Sequence, residues 1–502
     1  MFLTRKVSFI AGIICAASFA PVFFTPGIFA LSVLCAQVSR ANGVGQAAGF
    51  GYAFGFGFFL ASLYWICFGV AVYIDQFWWA IPFALFGLPA FLALLIAFQA
   101  AIAWQFRKCH IYKYHLYHFF FCLIWIAMEW FISWGFTGFP WCYIGYAFSV
   151  SDKMIQASSI FGILGLSFAA VYIGSTLYSK KFLILRLLTG GAICIALFAF
   201  GHYRLEQNPT VLSDVKIRIV QPSIPQTAKW DPDIFWGNLD KQIAMSQKPG
   251  SPDIILWSEA ALTVPYYYAP VHNALMSVFT KEGQVLLSGG VSDNGKQGAD
   301  YEVYSSLFAI DSAGENLFDY HKSHLVPFGE YMPGRKYIPL KKITHGSIDY
   351  TPGTRKTVYL QLFNLSVQPL ICYESIFFQE VKISNSDADI VINVTNDAWY
   401  GNSSGPYQHF EISRIRCIEN GLPMVRSANN GISAIMDPMG RVLAKLELNQ
   451  VGILDGYIPL KLVLPTIYSE WGKWGVCSWV SLVLILQSMI YSFFFCLVKR
   501  RI

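Results

Sequence analysis

The chain has 502 residues, of which 55% are hydrophobic and 17% aromatic but only 13% charged. Ordinary soluble domains carry about 25% charged residues, so this composition excludes a soluble protein and indicates an integral membrane protein. The formal net charge of +6 is interpreted as a signal of membrane orientation and not of nucleic-acid binding.

Apolar runs of about 20 residues are long enough to cross a bilayer. The sequence has such runs at 7–24, 50–73, 78–104, 117–136, 157–178, 182–201 and 475–497. A shorter run at 27–39 follows Pro21 and is either a further span, giving eight, or a re-entrant segment, giving seven. A signal peptide over 1–20 is the alternative interpretation of the first run, because Arg5 and Lys6 precede an apolar stretch.

Basic residues tend to collect in cytoplasmic loops. With eight spans, the lysines and arginines near the spans fall mostly on one side, and the opposite short loops carry little beyond Asp75, Asp152 and Lys153. We therefore predict a membrane protein with both termini in the cytoplasm. The predicted domains are a transmembrane bundle over 1–201, an outer domain over 202–474, and a last span with a basic cytoplasmic tail over 475–502.

The residues after 201 begin with a polar stretch, 202–214, which is predicted to be a linker. Short apolar runs separated by turns then predict strands, and amphipathic patterns predict helices near 233–247, 271–282, 373–380 and 407–420. The predicted strands are 215–220, 253–257, 284–288, 304–310, 316–320, 365–371, 390–394 and 431–436. Such a mixed set favours an α/β layered sandwich.

The cysteines give little sign of a disulfide framework or a metal site. Of eleven cysteines, only Cys372 and Cys417 lie outside the neighbourhood of the predicted spans. A disulfide between these two remains an alternative in an oxidising compartment. No CxxC spacing occurs, and His321 and His324 lack a third ligand at a suitable spacing, so we predict neither a metal nor a cofactor.

Three residues of the predicted outer domain suit a thiol acyl-transfer reaction. Glu259 and Lys322 each follow a predicted strand, and Cys372 lies where a predicted strand turns into a predicted helix beginning at Tyr373. A thiol needs a base to take its proton and a cation to hold the resulting anions. Glu259 is therefore the candidate base, Lys322 the candidate cation and Cys372 the candidate nucleophile, with helix N–H groups aimed at the sulfur.

Several segments of the sequence resemble those of the nitrilase (carbon–nitrogen hydrolase) superfamily and, more narrowly, of the bacterial apolipoprotein N-acyltransferase family over essentially the whole chain. The segments are 220–226 with Lys229 and Trp230 downstream, 324–331, 372–374 and 396–401. The resemblance implies an αββα sandwich carrying the triad Glu259, Lys322 and Cys372. The sequence departs from the family pattern at Pro222 and Ser223, and no arginine follows the intramembrane Glu129 closely.

The resemblance also implies that the protein lies in the bacterial inner membrane and that the domain over 202–474 is catalytic and periplasmic. It further implies a two-step reaction and its partners. A phospholipid, typically phosphatidylethanolamine, would acylate Cys372, and the terminal amine of a diacylglyceryl-cysteine lipoprotein would take the acyl chain. Accessory roles map onto Glu330, Tyr373, Glu374 and Trp230. Plainer interpretations remain open: Glu330 as a turn carboxylate, Tyr373 and Glu374 as support for the turn, and Trp230 and tyrosines 266–268 as interfacial anchors.

Three other functions fit parts of the sequence. A membrane-tethered amidase or nitrilase would share the triad but release its product to water, and the many spans argue against a soluble substrate. A transporter would carry several charged residues inside its spans, whereas Glu129 is nearly alone there and pairing within the bundle would explain it. A lipoprotein-handling scaffold would not need Cys372.

Overall fold

The computed structural model describes residues 4–107, 115–337, 342–343, 346, 348–381 and 388–472. The predicted span at 475–497 therefore lies outside the described residues. The first part of the chain is helical and the second part contains two β-sheets. This arrangement confirms the predicted combination of a helical bundle with an α/β domain.

The helical part follows the apolar runs of the sequence. Its α-helices are Arg5–Ala16, Leu31–Arg40, Val44–Leu63, Ile66–Ala71, Ile74–Phe77, Leu88–Phe106, His115–Ile132, Ser158–Gly174 and Leu183–Gln207. Among the described residues, four helical stretches are long and apolar enough to cross a membrane: Val44–Leu63, Ile74–Phe106, Met154–Tyr178 and Leu183–Gln207.

The predicted linker at 202–214 is wrong in its first half. The helix Leu183–Gln207 continues through it, and the first strand already begins at Leu212. Arg204, in the last turn, is buried and donates a hydrogen bond to Gln156, which fixes this turn against the bundle. No proline occurs within the helix Leu183–Gln207, and the first one after it is Pro209, so the polar residues extend the helix instead of ending it.

Glu129 is held inside the bundle by neighbouring donors. Its carboxylate accepts hydrogen bonds from the Trp125 indole at 3.0 Å and from the backbone N–H of Ile144 at 2.9 Å. The side chain is buried. These contacts agree with the interpretation that Glu129 pairs within the helix bundle.

The described residues of the α/β domain form twelve strands in two six-stranded sheets. The first sheet has the order β12-β1-β2-β3-β4-β5 and the second has β11-β10-β9-β8-β7-β6. The strands are β1 Leu212–Gln221, β2 Ile254–Leu256, β3 Val285–Asp293, β4 Val303–Asp311, β5 Asn316–His321, β6 Val358–Leu360, β7 Leu365–Ile371, β8 Ile390–Thr395, β9 Met424–Ala428, β10 Ser433–Met436, β11 Val442–Leu446 and β12 Gly452–Pro459.

The two sheets pack face to face and helices cover their outer faces. The core between the sheets includes Ile219 and Leu256 from the first sheet and Ile371 and Ile392 from the second. Helices Phe235–Ser246 and Ala269–Met276 cover the first sheet, and helix Gly405–Asn420 covers the second. This is the predicted layered sandwich, with a helix layer on each side of the paired sheets.

Helix Gly405–Asn420 also joins the sandwich to the bundle. Gln408, near its start, accepts hydrogen bonds from the indoles of Trp65 and Trp141 at 3.3 and 2.8 Å. Glu419, near its end, accepts the backbone N–H of Ile163 at 2.7 Å. The preceding Gly162 has φ +63°, and a Cβ there would lie 2.3 Å from the Tyr468 ring, so only glycine fits this junction.

Candidate active site

Cys372 lies at the carboxyl end of β7, where the backbone turns sharply. Its φ is +50°, in the left-handed region that non-glycine residues rarely adopt, and its side chain is buried. The predicted helix from Tyr373 is wrong, because the chain instead forms the 3₁₀ turn Cys372–Ile376 and a separate short helix, Phe378–Val381. A five-residue turn lacks the aligned peptide dipoles on which the predicted helix effect depends.

Glu259 and Lys322 meet beside this turn. Glu259 lies three residues beyond the end of β2, and Lys322 follows β5 directly. The Lys322 ammonium lies 3.3 Å from a carboxylate oxygen of Glu259 and 2.8 Å from one of Glu330. All three side chains are buried. Adjacent segments of the sandwich thus bring the distant Glu259 to a cation and a carboxylate, Lys322 and Glu330, that are eight residues apart in the sequence.

The charges around Lys322 keep it protonated. Burial alone would lower the pKa of Lys322, but Glu330, Glu259 and Cys372 outweigh that effect and raise it well above its ordinary value. A buried ammonium paired in this way can stabilise an oxyanion formed nearby. Lys322 is therefore suited to the predicted role of cation.

The Cys372 thiol is neutral in the resting site. Burial and the charge of Glu259 raise the pKa of Cys372 to about 12, and Lys322 opposes this only in part. The thiol consequently keeps its proton near neutral pH, and nucleophilic attack requires a base to remove it. Glu259 is a carboxylate whose charge acts on the sulfur, which suits it to the predicted role of base.

Glu330 and Glu374 form hydrogen bonds with the segments that carry Lys322 and Cys372. Glu330 contacts Lys322 with one oxygen and accepts the backbone N–H of Val326 with the other, at 2.7 Å. Glu374 accepts hydrogen bonds from the Ser323 hydroxyl and from the backbone N–H of Ile371, each at 2.7 Å. Glu374 thus links the residue after Lys322 to the residue before Cys372.

Tyr373 and Trp230 are each next in sequence to a residue that contacts other parts of the structure. The Tyr373 hydroxyl donates to the backbone oxygen of Gly138 at 3.0 Å, which ties the turn to the helical bundle. Trp230 is half-buried and directly follows the short helix Gln226–Lys229. Lys229 is buried and donates to the backbone oxygen of Glu259 at 3.0 Å. Trp230 is therefore placed beside the segment that carries Glu259.

Sequence reasoning missed two groups at the site. Lys229 was part of a recognised segment but received no role. A buried network also lies behind Cys372: His409 is 3.2 Å from the Cys372 backbone oxygen and 2.9 Å from Asp397, and Arg426 is 2.9 Å from Asp397. Asp397 lies in the segment 396–401 that carries the resemblance, and the other signal was the abundance of polar residues in a helix that the fold buries.

The cysteines and histidines of the described α/β domain have other surroundings than those of a disulfide or a metal site. Cys372 and Cys417 are both free thiols. His321 lies 2.8 Å from the Ser306 hydroxyl, whereas His324 stacks on Phe377 with ring centroids 3.8 Å apart. Within the described residues, no cluster of three or more histidine, cysteine, aspartate or glutamate side chains could hold a metal ion.

Comparisons with known proteins give the following matches. The carbon–nitrogen hydrolase family model matches residues 216–468, and the model of the apolipoprotein N-acyltransferase N-terminal domain matches residues 11–176. An apolipoprotein N-acyltransferase of Rickettsia typhi is 49% identical over 98% of this chain and 100% of that protein. One of Brucella melitensis is 37% identical over 86% of this chain and 82% of that protein.

Solved structures were also compared. An amidase from Nesterenkonia has a TM-score of 0.36 at 19% identity, covering 53% of this chain and 95% of that one. A carbon–nitrogen hydrolase from Helicobacter pylori has a TM-score of 0.37 at 14% identity, covering 49% of this chain and 89% of that one.

Proposed function

The chain belongs to the apolipoprotein N-acyltransferase family, and we propose that it transfers a fatty acyl chain from a phospholipid, through a thioester on Cys372, to the terminal amine of a diacylglyceryl-cysteine lipoprotein. The observation that carries this proposal is the meeting of Glu259, Lys322 and Cys372 in one buried site. Lipid and lipoprotein substrates follow from the family. Phosphatidylethanolamine is the donor that we propose.

In the first half-reaction, Glu259 takes the thiol proton and the Cys372 sulfur attacks the ester carbonyl of the phospholipid. Lys322 stabilises the tetrahedral oxyanion, an effect of about 3 to 4 kcal/mol for one well-placed donor. The C–O bond then breaks, and the lysophospholipid oxygen leaves with the proton held by Glu259. The products are a thioester on Cys372 and a lysophospholipid.

In the second half-reaction, the amine of the lipoprotein attacks the thioester carbonyl and Glu259 accepts the amine proton. Lys322 again stabilises the oxyanion, and the C–S bond breaks to release the amide and a Cys372 thiolate. Glu259 then returns the proton to the sulfur. Positioned acid–base groups of this kind contribute about 10²- to 10⁴-fold to a rate. The reaction is therefore ping-pong, with the acyl-enzyme waiting for an amine.

The accessory residues support these steps. Glu330 positions Lys322, and Glu374 fixes the spacing between the segments that carry Lys322 and Cys372. We assign Tyr373 to the junction between site and bundle, and Trp230 to contact with substrate beside Glu259. The bundle over 1–201 and the span over 475–502 would hold the catalytic domain over 202–474 at the periplasmic face of the inner membrane, with both termini cytoplasmic.

A membrane-bound amidase that releases its product to water is the rival function. The named relatives match the helical part as well as the α/β domain over nearly the full chain, and this favours the transferase. The two functions differ in what the acyl-enzyme does next.

The test is intact-protein mass spectrometry of the full-length enzyme, first stripped with hydroxylamine and then incubated with phosphatidylethanolamine vesicles. We expect one fatty-acyl adduct that is absent in Cys372→Ser and present in Cys417→Ser, a matched control because Cys417 is also buried in the α/β domain. Adding a diacylated lipopeptide should remove the adduct as the lipopeptide gains an acyl chain. Loss of the adduct to water with the lipopeptide unchanged would establish the hydrolase instead.

A further inference from the structure

The hydroxyl of Tyr400 lies close to the Cys372 sulfur. The two atoms are 4.0 Å apart. Tyr400 ends the 3₁₀ turn Asp397–Tyr400, which follows β8, and β8 runs parallel to β7, whose end carries Cys372. Because the carboxyl ends of neighbouring parallel strands lie at the same sheet edge, the fold itself brings the hydroxyl to the sulfur.

Aromatic side chains from the helical bundle hold the Tyr400 ring in this position. The ring packs edge-on against Trp65, with centroids 4.5 Å apart, and against Trp141 at 5.8 Å. Both indoles donate hydrogen bonds to the same Gln408 side-chain oxygen. The Ser403 hydroxyl donates to the Tyr400 backbone oxygen at 2.6 Å. The ring is thus fixed from two sides, and its hydroxyl is preorganised toward the sulfur.

The charges near the Cys372 sulfur keep the Tyr400 hydroxyl protonated, so that it can act as a hydrogen-bond donor. Glu259 and Asp397 disfavour negative charge on Cys372, whereas Lys322 and a hydrogen bond from Thr395 favour it. Desolvation, together with Cys372, Asp397 and Glu259, raises the pKa of Tyr400 well above its ordinary value. The phenol therefore keeps its proton and has it available for the sulfur.

We propose that Tyr400 is a further catalytic residue, whose hydroxyl donates a hydrogen bond to the Cys372 sulfur whenever the sulfur carries negative charge. This inference rests on the proposed function and assigns a group to its leaving-group step. In the second half-reaction, the C–S bond breaks and its electron pair goes to the sulfur. Tyr400 stabilises that thiolate and keeps its own proton, while the proton of the attacking amine goes to Glu259.

The geometry suits a contact that tightens during the reaction. A separation of 4.0 Å is long for a hydrogen bond to a neutral thiol, and hydrogen bonds to ionised acceptors are shorter and stronger. Hydrogen bonds of catalytic groups are commonly long in the free enzyme and shorten in the reacting complex. The contribution of Tyr400 is therefore expected mainly when the sulfur is anionic.

The test compares Tyr400→Phe with Tyr407→Phe in the full-length enzyme. The first change removes only the hydroxyl and keeps the ring against Trp65. The second removes a hydroxyl at the groove that Ser403 and Ser404 also line. Two quantities are measured: the pH dependence of Cys372 alkylation by iodoacetamide, and the single-turnover rate at which a lipopeptide amine removes the acyl chain. Thermal unfolding of each variant reports on folding.

We expect Tyr400→Phe to raise the apparent pKa of Cys372 and to slow deacylation about tenfold, as fits the loss of a hydrogen bond to a charged group. Tyr407→Phe should change neither quantity. The proposal is overturned if both quantities match the wild type in Tyr400→Phe, or if the rate falls together with the unfolding temperature while the alkylation profile is unchanged. If the wild-type enzyme forms no acyl adduct, the proposed function fails, and the alkylation profiles still decide whether Tyr400 acts on the sulfur.

Discussion

Glu374 and Ser323 are joined by two hydrogen bonds, since one Glu374 oxygen accepts both the backbone N–H and the hydroxyl of Ser323, each at 2.7 Å. The Tyr320 hydroxyl donates to the same oxygen at 2.9 Å, and the backbone N–H of Ile371 donates to the other at 2.7 Å. Burial raises the pKa of Glu374, while the donors of Ile371 and Ser323 and the charge of Lys322 act in the opposite direction. The carboxyl group is thus a buried acceptor that sets the distance between the Lys322 and Cys372 segments.

Glu374→Gln should separate this positioning role from a direct catalytic one. The amide retains one acceptor oxygen and places an NH₂ group against backbone donors, leaving a buried donor unsatisfied at a cost of about 1 to 3 kcal/mol. We expect a lower unfolding temperature and slower acylation of Cys372, measured on the same preparation. Glu447→Gln, which removes an exposed carboxylate paired with Lys445, is the control. Slower acylation without any loss of stability would contradict the positioning role.

The backbone beneath Glu259 gives a second prediction. A Cβ on Gly289 would lie 2.5 Å from the Ser258 backbone oxygen and 2.6 Å from the Glu259 Cα. Gly289→Ala must therefore displace the backbone that carries Glu259. We expect a large loss of acylation rate, on the order of 10²-fold, as is typical when a catalytic group shifts by about 1 Å.

The neighbouring Gly290 provides the matched control for that substitution. A Cβ there would meet Phe308 at 3.0 Å and Leu262 at 3.3 Å, but it would not touch Glu259. Gly290→Ala should cost some stability and leave acylation much closer to the wild type. Equal losses of acylation in the two variants would show that any disturbance of this strand slows acylation, and that displacement of Glu259 is not the cause.

The charges of Glu259 and Lys322 should have opposite effects on Cys372. Glu259 raises the pKa of the thiol and Lys322 lowers it. Glu259→Gln should therefore lower the pKa of Cys372, and Lys322→Met should raise it, as measured by the pH dependence of alkylation. Both variants should nevertheless lose acyl transfer, by about 10²- to 10⁴-fold for the base.

This pairing separates nucleophile ionisation from catalysis. A more readily ionised Cys372 combined with slower transfer in Glu259→Gln is expected only if Glu259 moves protons during the reaction. Transfer that speeds up together with thiol ionisation would rule out Glu259 as the base.

Much of the fold could be predicted from local sequence patterns. Leu365–Ile371 is a strand with the predicted bounds, and Ile390–Thr395 extends its prediction by one residue, because continuous apolar runs are typical of buried parallel strands. Strands Val358–Leu360, Met424–Ala428, Val442–Leu446 and Gly452–Pro459 were not predicted. Three of them have exposed positions, and Arg426 interrupts the apolar run of the fourth, so their apolar signal is weak.

The missed site residues depend on contacts that are distant in the sequence. The Arg426 guanidinium, on β9, lies 2.9 Å from the carboxylate of Asp397, which follows the neighbouring β8. His409 lies on the covering helix and contacts the backbone oxygen of Cys372. The sequence of helix Gly405–Asn420, which is polar but buried, resembles that of a helix exposed to solvent, because periodicity does not show whether another part of the protein covers a helix face. Glu259, Lys322 and Cys372 could be proposed from the sequence because each follows a strand that the apolar pattern predicts.

Lys229 gives a prediction on pH and stability. Burial lowers its pKa to about 7, although Glu259 acts in the opposite direction, whereas a lysine in the unfolded chain has a pKa near 10.4. Between about pH 7 and pH 10 the unfolded state therefore binds more protons than the folded state, and this residue makes the free energy of unfolding rise with pH. Lys229→Met removes the titrating group. We expect the stability of the variant relative to wild type to be greater at about pH 6 than at about pH 9.

We would measure thermal unfolding of the wild type and of Lys229→Met in the same detergent across this pH range. Only the difference between the two stability curves is interpreted, because other groups titrate in both proteins. Lys281→Met is the matched control, since Lys281 is partly exposed and pairs with Asp253 at the surface. Its difference curve should be nearly flat between about pH 6 and pH 9, because a surface pair contributes only about 0 to 1 kcal/mol. A flat difference curve for Lys229→Met as well would mean that Lys229 keeps its charge in the folded protein, and its contact with the Glu259 backbone would then place a second permanent cation beside Lys322.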